Sequence, residues 1–198
     1  LATKILGAAA GLATLVFSAL LGRDLLRWSA DDHRRVSPLV WLTGPLLISF
    51  SLILGLGAVS GLETTLFVAL ITGAGWLFLR LLQEESSLPW AISAGLVMGL
   101  ACWTRPEGIA WAIGFAGLVL GIRLWKREPV RNALIAGAIA IGFYGLLIAF
   151  RLIVYGHFFP NTYYLKMAGD DWPRFLSGLK YVREWAVKDL GFFYLGLA

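Results

Sequence analysis

The chain is 198 residues long, 59% apolar and only 15% charged, with a mean hydropathy of +0.76. Water-soluble domains are about 45–50% apolar and about 25% charged, so an ordinary soluble domain, a disordered tail and a fibrous repeat are all excluded. The net charge of +5 (17 basic against 12 acidic residues) falls in short clusters between apolar runs, the pattern of membrane loops rather than of a nucleic-acid-binding surface.

The sequence opens at Leu1 on a long apolar run without a clear cleavage site and closes at Ala198 inside another, so it reads as an internal fragment of a larger membrane protein. A crossing takes about 20 apolar residues. Crossings are predicted at Ile5–Leu21, Leu39–Val59, Leu66–Leu82, Leu88–Trp103, Ile109–Leu124 and Ala133–Tyr155, with a seventh beginning near Leu190. The runs are continuous rather than alternating, which argues against a barrel. The expected fold is therefore an all-α polytopic transmembrane bundle of six to seven spans forming a single domain over residues 1–198. Residues 156–189 supply an outer loop and an interfacial helix. Within them, Arg174–Lys188 mixes Phe175, Leu176, Leu179, Val182 and Trp185 with Lys180, Arg183, Glu184 and Lys188, spacing that suits an amphipathic helix on the outer surface or against a soluble domain.

Arg23, Arg27, Arg34, Arg35, Arg80, Arg123, Lys126, Arg127 and Arg131 fall on one set of connections, and Arg105 and Lys166 on the other. By the positive-inside rule the first set is cytoplasmic, and the alternation holds through six crossings. Tryptophans near both boundaries form the expected interfacial belt. One cysteine, Cys102, allows no internal disulfide. No phosphate loop, HExxH or Cys/His cluster is present, and no bound cofactor or metal site is predicted. Asp31-Asp32-His33 lies among arginines and reads as a self-neutralised loop.

Three polar motifs then fall on the outer side: Ser60-Gly61-Leu62-Glu63-Thr64, Thr104-Arg105-Pro106-Glu107-Gly108, and Tyr155 to Lys166 with His157, Pro160, Asn161, Tyr163 and Tyr164. Ser60/Glu63 and Thr104/Glu107 have the three-residue spacing of a capping box, which leaves Ser60, Glu63 and Thr104 as helix caps or as site residues. Arg105 suits a phosphate or an interface anchor. The third motif offers an imidazole, an amide, phenols and an ammonium, suited to a phosphosugar or simply to an aromatic interfacial loop. Arg151, near the end of an apolar run, calls for an anionic partner.

These three motifs, in this order over roughly Ser60 to Lys166, resemble the polytopic glycosyltransferases of the GT-C class: the protein O-mannosyltransferases, the aminoarabinose transferases and the arabinofuranosyltransferase-like proteins. The resemblance implies a multi-pass protein of the bacterial inner membrane whose motifs face the periplasm or exterior. It would transfer a sugar from a polyprenyl-phosphate donor to a glycan, lipid or protein acceptor. Arg105, Glu107, His157, Asn161, Tyr163 and Lys166 are the matching substrate-contact positions. The catalytic base is implied in an outer loop preceding Leu1, so the fragment alone is expected to be inactive. The alternatives are a transporter or flippase for a lipid-linked or small anionic substrate, and a scaffold in which the outer motifs only cap or anchor. Concentration of the polar groups at one interface, with no charge at mid-membrane, favours interfacial chemistry over translocation.

Overall fold

The computed structural model describes residues 2–29, 38–49, 63–83, 88–158, 176–180 and 183–184. Every regular element among them is helical: α1 (Ala2–Ser29), α2 (Pro38–Ser49), α3 (Glu63–Gln83), α4 (Leu88–Thr104), α5 (Gly108–Lys126) and α6 (Arg131–Tyr155). Four are long and apolar enough to cross a membrane, namely α1 over Ala2–Trp28, α3, α5 and α6. At 17 residues α4 is shorter, and α2 is described over 12. The predicted seventh crossing at 190–198 and the second half of the predicted 39–59 crossing lie outside the described residues.

The helices overrun their predicted ends. α1 continues past Leu21 through Arg23, Asp24 and Arg27 to Ser29, because charge interrupts hydropathy without interrupting the backbone ladder. Backbone signals set the real ends. At the end of α5, Arg127 adopts a left-handed conformation (φ 58°) and its N–H donates to the Leu124 carbonyl (3.1 Å). The next N–H, of Glu128, donates to the Arg123 carbonyl (2.8 Å). This is the Schellman closure, here with arginine where glycine is usual.

The chain divides into two compact units, Leu1–Ile148 and Ala149–Ala198. In the first, α3 is the central helix, packed against α1, α4 and α5. Its core combines Leu77, Phe78 and Leu81 with the small residues Ala91, Ala94, Ala101, Ala112, Ala133, Ala136 and Ala140. Small side chains allow the close helix approach on which packing in lipid depends. The outward faces remain apolar, with Leu12, Ile113, Leu118, Trp125, Ile141 and Leu146 all exposed; that is a lipid-compatible exterior rather than a water-facing one.

The α4–α6 contact is set by two glycines. A Cβ on Gly95 would sit 2.7 Å from Ile139 Cβ, and one on Gly99 would sit 2.6 Å from Phe143 Cγ. One turn on, the Trp103 indole donates to the Phe143 carbonyl (2.8 Å). Gly99→Ala should therefore push α6 away and destabilise the fold by about 1–3 kcal/mol, read as a lower thermal midpoint in detergent; an unchanged midpoint would contradict this packing.

In the second unit, α6 ends at Gly156, whose positive φ (69°) lets its N–H donate to the Leu152 carbonyl (3.1 Å). Residues 176–180 and 183–184, within the predicted amphipathic segment, are helical and exposed.

Candidate functional site

The first unit has two chemically distinct ends. At one lies the turn joining α4 to α5. The Arg105 N–H extends the α4 ladder to Ala101 (3.0 Å), the Gly108 N–H returns to the Arg105 carbonyl (2.9 Å), and the Ala110 N–H reaches the Glu107 carbonyl (3.0 Å). Only glycine fits at 108, since a Cβ would lie 2.7 Å from the Cys102 backbone nitrogen. This tight reversal holds Arg105 over the ring of Phe67, 5.7 Å from its centroid, one helical turn from the exposed Glu63 that opens α3. The second motif thus abuts the helix that the first motif opens.

The Thr104–Glu107 capping box expected from spacing does not form. Thr104 is the last residue of α4, and its hydroxyl donates back to the Ala101 carbonyl (2.8 Å). Glu107 itself occupies the cap position of α5 without a side-chain cap, and its Oε1 accepts from Arg105 Nη2 at 3.3 Å. The reason is that α4 persists through Thr104, so its hydroxyl meets a helix C-terminus rather than an N-terminus. The Arg105 side chain is 34% exposed and that of Glu107 60%. A pair so wet contributes about 0–1 kcal/mol, and a stronger anion would displace its carboxylate at little cost.

Of the other predicted residues, His157 is exposed just beyond Gly156, and Arg151 is half-buried on the last turns of α6, both in the second unit. Ser60, Asn161, Tyr163 and Lys166 lie outside the described residues, as do Asp31, Asp32 and His33.

The opposite end carries Asp24, which sequence reasoning passed over, and arginines that it read only as markers of orientation. Asp24, only 2% exposed, accepts from Arg23 Nε on Oδ1 (2.8 Å) and from the Trp76 indole on Oδ2 (2.9 Å), with Arg80 Nη1 3.8 Å away. Gln83 donates to the Asp24 carbonyl (3.0 Å), and the Arg80 guanidinium lies 5.3 Å from the centre of the Trp90 ring. Nearby, Arg123, 1% exposed, donates to the carbonyls of Leu81 and Pro129 and pairs with Glu128 at 3.7 Å. Polar groups are therefore not concentrated at one interface: the buried ionic groups stand at the other end of the bundle. Asp24 has both oxygens engaged and no exposed edge, so it ties α1 to α3 rather than serving as an acid or base.

No protein-family model matches this chain, and no curated protein or solved structure matches it either. Function therefore rests on residues and geometry alone.

Proposed function

We propose that the chain is part of a GT-C-type membrane glycosyltransferase with six to seven spans. In this reading it moves a sugar from a polyprenyl-phosphate donor to an extracytoplasmic acceptor at a bacterial inner membrane. Arg105 and Lys166 stabilise the leaving phosphate, and Glu107, His157, Asn161 and Tyr163 contact the sugar and acceptor, with the general base in a loop preceding Leu1. The observation that carries this reading is the accessible Arg105 beside Phe67 at the start of α3. It is a cation held by a rigid turn and paired, among the described residues, to a solvated carboxylate, at the end of the bundle away from the buried ionic groups. A bidentate guanidinium in that setting suits an incoming phosphate.

In the full-length protein, Arg105→Ala and Lys166→Ala are each expected to cut sugar transfer from a polyprenyl-phosphate donor at least tenfold, about 1.4 kcal/mol of barrier. Unchanged turnover in both, at normal protein levels, would refute the phosphate role. Movement of labelled substrate across vesicles without covalent change would instead identify a transporter.

A further inference from the structure

Between α1, α3 and α5 the first unit leaves an open groove of about 390 Å³, within the size range of small-ligand sites. Leu25 and Trp28 form one wall, Leu118 and Ile122 the other, and Gly75 and Phe78 the floor. Apart from the Trp28 indole, Thr72 is the one polar side chain in its lining, and its hydroxyl is already donated to the Val68 carbonyl (2.8 Å). Such a groove offers nothing to a polar ligand along its length and suits a hydrocarbon chain.

Its Trp28 end is different. Lys126 Nζ lies 5.7 Å from the Trp28 ring centroid, and the exposed Arg27, Arg127 and Arg131 are near in sequence to one or the other. Among the described residues the opposing charge is Glu128, 4.0 Å from Lys126 and also facing the buried Arg123. Four exposed cations thus stand, among the described residues, against one shared carboxylate, which leaves the described part of this end positive. An apolar partner helix would fill the groove but leave those charges unanswered, whereas an amphiphile with an anionic head answers both.

We propose that this groove holds an acyl chain of an anionic phospholipid whose phosphate rests against Lys126 and Arg27. It is separate from the Arg105 turn, at the other end of the bundle, and does not depend on the glycosyltransferase reading.

Native mass spectrometry of the full-length protein in detergent, titrated with phosphatidylglycerol or with phosphatidylcholine of the same chains, tests it. Phosphatidylglycerol should bind at least tenfold more tightly than phosphatidylcholine. The double change Arg27→Ala/Lys126→Ala should remove about tenfold of that preference, and Leu118→Trp, which fills the groove from a position 59% exposed, should weaken both lipids. Thermal midpoints are measured alongside, with Arg27→Gln/Lys126→Gln and Leu118→Phe standing in for any variant that unfolds. Equal binding of the two lipids, or phosphatidylglycerol binding unmoved by both the charge and the groove variants, overturns the proposal. So does a dimer that falls apart in Leu118→Trp, which would make a second copy the occupant.

Discussion

Replacing Asp24 by alanine is expected to lower the thermal midpoint in detergent by at least about 6 °C, corresponding to a loss of about 3–5 kcal/mol. Removing one partner of a buried ion pair is far more damaging than the pair's net worth, because the remaining charge stays in a low-dielectric site. Here Arg23 and the Trp76 indole lose their acceptor, and Arg80, 3.8 Å away, loses its counter-charge. Asp24→Asn should lie between wild type and alanine: an amide oxygen still accepts from Trp76 but cannot balance two guanidinium groups. Glu107→Ala supplies the contrast. It also breaks an arginine–carboxylate pair, yet at 60% exposure the loss should stay within about 1 kcal/mol. If the Asp24 and Glu107 variants melt together, Asp24 does not hold α1 to α3.

The helices were legible because each is a long apolar run, and in lipid only a helix satisfies such a backbone internally. Their ends were not, because hydropathy falls at the first charge whereas a helix ends only where the backbone turns. Leu21 marked the end of the apolar run in α1, but eight further residues lie within the helix, Arg23 and Asp24 among them. Read as a loop, that dipeptide was ordinary; read as the penultimate turns of a long helix, a carboxylate there demanded a buried donor. The buried donor to the carboxylate is the Trp76 indole, and Gln83 donates to the Asp24 main-chain carbonyl; they lie 52 and 59 residues away in sequence, and no local pattern links them to Asp24.

The Thr104–Glu107 turn shows a different limit. Hydroxyl and carboxylate three residues apart are the same letters whether the hydroxyl starts one helix or finishes another. Pro106 fits the first turn of a helix, but it also fits a reversal such as the one observed, where the Arg105 carbonyl accepts from Gly108. The glycine that decides between them is Gly108. Its need follows from the contact with the Cys102 backbone, a relation that exists only after α4 and α5 have folded back on each other.

Arg123 carries the other large effect. Its guanidinium reaches the carbonyl of Leu81, in the last turn of α3 where no intrahelical donor follows, and the carbonyl of Pro129, which has left α5. Its own carbonyl accepts from the Glu128 N–H, so main chain and side chain both fasten the α5–α6 connection. Arg123→Ala removes these bonds and leaves a void at a site 1% exposed, an expected loss of about 3–5 kcal/mol. Arg123→Met restores most of the volume but leaves the Leu81 carbonyl without its donor, so its loss should be smaller, about 1–3 kcal/mol. The pair of melting curves separates two roles for one side chain. A methionine variant as stable as wild type would mean that the stem packs and the charge is idle. Equal large losses would mean that hydrogen bonding to Leu81 and Pro129 accounts for nearly all of it. The intermediate result is expected, because a buried guanidinium whose Nε finds no acceptor among the described residues stabilises less than its bond count implies.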